Sequence, residues 1–282
     1  MLLREIASRL RRNSGPVDVT VLVFVGEDAD YAAIHRLPSQ PRRIAQGCCF
    51  YPAQAHNGAG QLFRISRSAP SACLEARPEV DPARIGLWGT SYAGGHALVL
   101  GATDRRLRCI VSQVPTISGY EQGLRRVSPD ALPALEHAFN EDERAQSHGE
   151  PPHRQAVVSG DLSVPAAYRS QDAINFYLQP IPAGVWENDI TIRSTRAARM
   201  YEPGNWITRV SPTPLLLVLA RDDRLTAADL ALAAYERALE PKRLALIPGG
   251  HFDPYLGVFP LAEAAATEWF HEHLLNPNAS RP

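Results

Sequence analysis

Ser91 lies in a short glycine-bearing segment whose residue types suit a reactive serine. Residues 89–94 read Gly-Thr-Ser-Tyr-Ala-Gly, with an apolar run before them and an alanine- and leucine-rich run after them. Small residues, Gly89 and Gly94 among them, permit the tight turn that lifts a serine hydroxyl above the end of a strand. In such a turn the backbone N–H of Tyr92 lies at a helix N-terminus and can stabilise a developing oxyanion. The alternative is an ordinary loop whose serine caps the following helix.

His251 and an acidic pair could supply the other groups that this chemistry needs. A serine hydroxyl is a weak nucleophile near neutral pH, so a histidine must take its proton and a carboxylate must orient that histidine. Asp222 and Asp223 follow one apolar run, and His251 follows another, within Pro-Gly-Gly-His-Phe. Because parallel strands present functional groups at their carboxyl ends, we expect these groups to lie near the serine. The alternatives are solvated acids that cap a helix beginning near Ala227, and a histidine on a surface loop.

Alternating apolar runs and amphipathic segments predict the elements that must position these residues. From about residue 81 onward this alternation is typical of a parallel sheet crossed by helices, which places the chain in the α/β class. Strands are predicted at residues 19–25, 84–88, 108–114, 214–220 and 243–247. Helices are predicted at residues 96–102, 131–144, 192–200, 227–239 and 260–274.

The period loosens in the middle of the chain, where proline, glycine and charged residues increase. We interpret residues 116–211 as a helical cap inserted into the core. The other predicted parts are an atypical or truncated N-terminal core region at 1–73, the serine-bearing core at 74–115 and the C-terminal core at 212–282.

The charge balance and hydropathy exclude several other classes of protein. Among 282 residues, 29 are lysine or arginine and 30 are aspartate or glutamate, so no net charge would draw the chain to nucleic acid or an acidic membrane. No run approaches the roughly 20 apolar residues of a membrane helix, and the start lacks the apolar core of a secretion signal. The arginine-rich residues 1–13 could form an organelle-targeting peptide, but a surface helix is favoured because such spacing is common in ordinary helices. We therefore predict a cytoplasmic protein.

Neither a metal nor a cofactor is predicted. The four cysteines, Cys48, Cys49, Cys73 and Cys109, lack zinc-type spacing, and an adjacent pair is a poor start for a disulfide framework. No histidines pair with acids at a metal-binding spacing, and no glycine-rich phosphate loop occurs.

Three segments resemble a group of α/β-hydrolases that contains bacterial hydrolases and fungal polyketide transferases and thiohydrolases. These segments are DPARIGLWGTSYAGGH at 81–96, AADLALAAYER at 227–237 and PGGHFDPY at 248–255. The likeness runs from about residue 74 to about residue 274. It implies the α/β-hydrolase fold, with a mostly parallel central sheet, helices on both faces and a helical cap insertion.

The resemblance also implies roles for individual residues. The nucleophile of the group falls on Ser91 and its histidine on His251, and the order serine, acid, histidine is the one that this fold uses. The acid falls on Asp223 rather than Asp222, because the usual acid stands three residues before a threonine, here Thr226. Members hydrolyse esters or thioesters, or transfer a polyketide acyl chain to an alcohol. The resemblance thus implies an acyl-enzyme on Ser91 and a small-molecule acyl ester or thioester as the partner. A homo-oligomer is compatible with the sequence.

The front of the chain departs from this group. Members usually carry a His-Gly pair after an early strand, which contributes a second oxyanion N–H, and residues 1–72 contain no recognisable counterpart. Loss of one oxyanion donor costs about 100- to 1,000-fold in rate in well-studied enzymes. The second interpretation is therefore a relative that keeps the fold without catalysis and serves as a binding module.

Overall fold

The structure is a computed structural model that describes residues 19–24, 32–37, 80–180 and 186–275. The two N-terminal ranges are described as paired strands only. The predictions for residues 1–13 and for Cys48, Cys49 and Cys73 fall outside the described residues, as does most of the range 1–72, in which no His-Gly pair was recognisable. None of the described helices combines the length and the apolar character needed to cross a membrane.

The described elements alternate along most of the chain. The strands are β1 Val19–Phe24, β2 Ala32–Leu37, β3 Ile85–Thr90, β4 Leu107–Gln113, β5 Arg154–Val158, β6 Ala166–Tyr168, β7 Ile190–Thr191, β8 Leu215–Ala220 and β9 Lys242–Ile247. The α-helices are α1 Tyr92–Thr103, α2 Gly119–Arg126, α3 Leu132–Ser147, α4 Gln171–Tyr177, α5 Ile192–Arg199, α6 Ala228–Arg237 and α7 Phe259–Phe270.

The central sheet has the order β2-β1-β3-β4-β8-β9. Strand β2 pairs antiparallel with β1, and the other neighbouring strands pair in parallel. The prediction of an α/β fold with a mostly parallel central sheet is confirmed. Strand β2 was not predicted, because its region shows no steady alternation in the sequence.

Strand β8 shows why this sheet needs helices on both of its faces. All six of its residues, Leu-Leu-Leu-Val-Leu-Ala, are buried, and successive side chains of a strand point to opposite faces. Leu215, Leu217 and Leu219 pack in one apolar cluster with residues of α1 and α6. Leu216 and Val218 pack in a second cluster with residues of α7. Since burying one leucine stabilises a fold by about 1.5–3 kcal/mol, β8 contributes strongly to both cores.

A second compact unit is formed by Ser118–Glu202. It contains α2 to α5 and a three-stranded sheet of order β6-β5-β7, which the sequence did not indicate. Inside the unit, Phe139 is buried, and the buried carboxylate of Asp142 accepts hydrogen bonds from the His153 N–H and the Gln146 amide. The unit falls within the predicted insertion 116–211, and its role as a cap stays a prediction.

Candidate active site

The turn between β3 and α1 holds Ser91 in an unusual backbone conformation. Its φ of 55° and ψ of −121° are sparsely populated by residues with a side chain, and such strain costs about 1–3 kcal/mol. The turn is held by hydrogen bonds from the Ser91 N–H to the Gln113 carbonyl (2.9 Å) and from the Thr116 N–H to the Ser91 carbonyl (3.0 Å). Both partners lie at or just beyond the end of β4, so the neighbouring strand fixes the position of the serine.

Two glycines of the turn are required by close packing. A Cβ on Gly89 would lie 2.1 Å from the Ala93 carbonyl oxygen, far inside van der Waals contact. A Cβ on Gly94 would lie 3.0 Å from the Gln113 carbonyl oxygen, so this glycine lets α1 approach the end of β4. The alanine at the fifth position of the motif is completely buried, which fits its small size.

Asp223 lies in the loop after β8, and its carboxylate is saturated with donors. Oδ1 accepts from the backbone N–H groups of Leu225 (2.8 Å) and Thr226 (2.9 Å). Oδ2 accepts from the Thr226 hydroxyl (2.7 Å) and lies 2.8 Å from Nδ1 of His251. Burial alone would raise the pKa of Asp223, but the charge of His251 and the hydrogen bonds from His251 and Thr226 outweigh it and hold this pKa below its ordinary value. The carboxylate is therefore ionised at neutral pH.

His251 follows β9 in a turn that is shaped by two glycines. Gly249 has a φ of 98°, and a Cβ there would lie 2.4 Å from Oδ2 of Asp253. The same carboxylate oxygen accepts from the Gly250 N–H at 2.6 Å, so Asp253 braces the turn from within. The imidazole of His251 contacts the ring of Phe252 edge-on, with 5.0 Å between ring centroids.

One continuous chain of hydrogen bonds joins the three predicted residues. His251 Nε2 lies 3.0 Å from Ser91 Oγ, while its Nδ1 faces the Asp223 carboxylate. An ionised carboxylate can only accept, so Nδ1 carries the proton and Nε2 is left to accept the serine proton. The exposed fractions of Ser91, Asp223 and His251 are 7%, 6% and 2%. The structure thus brings together side chains that are far apart in sequence, in a site largely shielded from water.

Asp222 and His96, two titratable neighbours of these three residues in the sequence, have different surroundings. Asp222 is exposed and pairs with Arg221, whose hydrogen bond holds the pKa of that carboxyl below its usual range. His96 is buried on α1 with its ring against that of Tyr92, and burial lowers its pKa to about 4. Within the described part of the chain, no group of three or more histidine, cysteine, aspartate or glutamate side chains could hold a metal ion.

Comparison with known proteins found relatives in sequence and in fold. No protein-family model matches the chain. The quorum-quenching protein AidA of Acinetobacter baumannii is 28% identical over 196 residues, covering 67% of this chain and 61% of AidA. The polyketide transferase ClaH of Penicillium crustosum is 27% identical over 193 residues, which cover 64% of this chain and 60% of ClaH. A thiohydrolase of Eupenicillium brefeldianum is 26% identical over 242 residues, which cover 83% of this chain and 75% of the thiohydrolase.

The crystal structure of the α/β-hydrolase GrgF from a Penicillium species superposes with a TM-score of 0.60. It is 22% identical, and the match covers 73% of this chain and 69% of that one. The chain has the α/β-hydrolase fold. The chain spans 61% of the length of AidA and 60% of the length of ClaH.

Further residues near the site have a backbone conformation that the sequence did not indicate. Among the described residues, the non-glycine positions with positive φ are Ser91, Val114 and Ala227. Val114 follows β4, and its carbonyl lies 3.2 Å from the hydroxyl of Thr226. Ala227 follows Thr226 and precedes α6. Backbone strain clusters at functional sites, but it leaves no local signal in the residue types, so the sequence alone could not have indicated these positions.

The turn after β3 also fixes the backbone of Tyr92. It is the first residue of α1, directly after Ser91. Its backbone N–H belongs to the first turn of the helix, where the macrodipole concentrates partial positive charge. The role of this N–H as an oxyanion donor stays a prediction.

Proposed function

We propose that the chain is a serine-dependent acyl hydrolase or acyltransferase that acts on a small-molecule ester or thioester. The observation that carries the proposal is the unbroken hydrogen-bond chain from Asp223 through His251 to Ser91. Its distances of 2.8 and 3.0 Å lie within the range needed for proton transfer from a serine to a histidine base.

In the first half of the proposed reaction, Ser91 Oγ attacks the acyl carbonyl carbon. The hydroxyl proton passes to His251 Nε2 as the Oγ–C bond forms, and Asp223 stabilises the imidazolium through Nδ1–H. The carbonyl oxygen becomes an oxyanion facing the N–H of Tyr92. The C–O or C–S bond then breaks, the imidazolium returns its proton to a leaving alcohol or thiol, and the acyl group remains esterified to Ser91.

In the second half, water or an alcohol attacks the acyl-enzyme. His251 takes the proton of the attacking hydroxyl and returns it to Ser91 Oγ as the acyl–Oγ bond breaks. Water releases a carboxylic acid, whereas an alcohol releases a new ester. Both outcomes are represented among the relatives, one of which is named a thiohydrolase and another a polyketide transferase. The same three side chains would serve either acceptor.

Labelling with a fluorophosphonate tests the chemistry. We expect the wild-type protein to form a phosphonate ester on Ser91 that is located by peptide mass spectrometry. The Ser91→Ala variant should take up no label. The matched control is Ser211→Ala, which removes an exposed hydroxyl that donates to the Glu240 carbonyl and should leave labelling unchanged. Folded wild-type protein without label on Ser91 would overturn the proposal and favour a non-catalytic relative that serves as a binding module.

Product analysis separates hydrolysis from transfer. The protein is incubated with an acyl thioester in the presence and absence of a small alcohol, and the acid and ester products are quantified. A hydrolase yields the free acid in both mixtures, and a transferase yields ester that increases with the alcohol concentration. Ser91→Ala should abolish both products, which ties them to the site rather than to a contaminant.

A further inference from the structure

The turn that carries His251 is joined to the strand that carries Ser91 by a second link. The hydroxyl of Thr90 donates a hydrogen bond to the phenol oxygen of Tyr255, with 2.5 Å between the oxygens. Thr90 immediately precedes Ser91, and Tyr255 lies four residues after His251. This bond therefore connects the two segments whose relative position sets the distance between the histidine and the serine.

The Thr90 side of this link is built into the core. Thr90 is 3% exposed, and the amide nitrogen of the buried Gln113 lies 3.4 Å from its hydroxyl oxygen. The backbone carbonyl of the same glutamine accepts the hydrogen bond of the Ser91 N–H. Gln113 thus contacts both Thr90 and Ser91. It therefore fixes the position of the Thr90 hydroxyl relative to the serine.

The Tyr255 side belongs to the turn that Asp253 braces from within, and the bond to Thr90 ties this turn to the strand of the serine. Two consecutive glycines, Gly249 and Gly250, precede His251 and give the turn a large conformational freedom in the absence of other contacts. The turn continues into a short 3-10 helix, Asp253–Tyr255, whose last N–H donates to the Phe252 carbonyl at 3.1 Å. Tyr255 is therefore rigidly connected to the residues beside His251, and its ring lies 6.1 Å from the imidazole, measured between centroids.

We propose that Tyr255 is a positioning residue, which through its bond to Thr90 holds the imidazole of His251 at Ser91. The proposal rests on the proposed function, because it assigns Tyr255 a role in proton transfer at that site. Misplacing a catalytic group by about 1 Å can cost on the order of 100-fold in rate. A single lost hydrogen bond allows a smaller displacement, so we expect a smaller loss.

The kinetic test compares variants that remove one hydroxyl each. Tyr255→Phe and Thr90→Val should each lower kcat by roughly tenfold with KM changed less than about twofold, because a positioning role affects the histidine and not the binding of the substrate. The double variant should lose no more than Thr90→Val alone, because Thr90→Val already breaks the bond to Tyr255 and also removes the acceptor of the Gln113 amide. Thr90→Ser keeps the hydroxyl and should recover most of the activity. Tyr235→Phe is the control. It removes the hydroxyl of a half-buried tyrosine of α6 whose ring packs against Lys242, and kcat should be unchanged.

A second measurement reports the position of His251 without any turnover. In protein labelled with ¹⁵N-histidine, the Nδ1 proton that faces Asp223 gives a low-field resonance, which is assigned by its absence in His251→Ala. Tyr255→Phe should broaden or shift this resonance, and Tyr235→Phe should leave it unchanged. Unchanged kcat together with an unchanged resonance in Tyr255→Phe would overturn the proposal, as would equal losses in kcat and in substrate binding.

The two proposals fail in distinguishable ways. If wild-type protein takes no label and turns over no acyl substrate, the proposed function is wrong, and the histidine resonance alone decides whether Tyr255 holds the imidazole. If wild-type protein is active and Tyr255→Phe matches it in kcat and in spectrum, the positioning role is wrong while the proposed function stands.

Discussion

Asp222 and Asp223 are consecutive in the chain, yet their carboxylates lie in opposite surroundings. Asp223 turns inward, where it faces His251 and accepts from Thr226 and Leu225. The side chain of Asp222 is 55% exposed and pairs with Arg221 on the surface. The backbone N–H of Asp222 still donates to the Gly249 carbonyl, so both residues belong to the same turn and differ in the direction of the side chain.

This difference predicts unequal effects of the same substitution. Asp223→Asn should lower kcat by about four orders of magnitude, because an amide can present its N–H to Nδ1 and stabilise the wrong tautomer of His251. Asp222→Asn loses only an exposed ion pair and should change kcat less than about twofold. Steady-state kinetics with one activated ester checks both variants. Equal activity of the two variants would remove Asp223 from the mechanism.

The hydroxyl of Thr226 donates a hydrogen bond to Oδ2 of Asp223, the same oxygen that faces His251. Thr226→Val keeps the size of the side chain but leaves this oxygen with one donor fewer, so the pKa of Asp223 should rise and the support of the imidazolium should weaken. We expect roughly a tenfold loss in kcat/KM and a loss in unfolding free energy of about 1.5–3 kcal/mol.

Thr226→Ser is the control for this prediction, since it keeps the hydroxyl and loses only a methyl group. It should retain most of the activity of the wild type. Measured by kinetics and urea denaturation, a Thr226→Ser variant as impaired as Thr226→Val would show that packing rather than the hydroxyl matters.

Much of the scaffold could be predicted from the sequence, because buried parallel strands are continuous apolar runs. Strand β8 is the clearest case, with six apolar residues divided between two cores. The start of α1 was harder to predict. The helix begins at Tyr92, whereas the sequence predicted a start at His96, because glycine has a low helix propensity and two glycines lie between them. Packing of Gly94 against the end of β4 overrides that preference.

The site could be predicted only where residue types and spacing carry a signal. The serine turn and the Gly-Gly-His turn are such patterns, but the residues alone left the choice between Asp222 and Asp223 open, and the resemblance decided it through Thr226. The bond between Thr90 and Tyr255 joins residues 165 positions apart and follows no period. The three short strands of the second unit were missed because they are partly exposed and contain no apolar run.

The packing of Gly89 predicts a steep cost for a single methyl group. In Gly89→Ala the new Cβ would meet the Ala93 carbonyl at 2.1 Å, and a backbone oxygen in the first turn of α1 cannot rotate away. We expect the unfolding free energy to fall by at least ~3 kcal/mol, at the upper end of the range for overpacking. Gly257→Ala is the matched control, because a Cβ there meets no atom within 4 Å, and its effect should stay below ~1 kcal/mol. Chemical denaturation measures both, and a Gly89→Ala variant as stable as Gly257→Ala would contradict the turn geometry.

The buried imidazole of His96 predicts a loss of stability in acid. Burial lowers its pKa from 6.5 to about 4 in the folded chain. Between these pH values the unfolded chain binds a proton that the folded chain does not, so the free energy of unfolding must fall as the pH drops from about 6.5 to about 4. The contribution of this one group is roughly 3 kcal/mol over that interval.

His96→Gln removes the titration and should flatten this part of the pH dependence, whatever its effect on stability at pH 7. Urea denaturation at half-unit steps between pH 4 and 7.5 measures the slopes of the wild type and of His96→Gln. Parallel curves for the wild type and His96→Gln would mean that the imidazole is hydrated in solution and that α1 packs less tightly around it than the structure indicates.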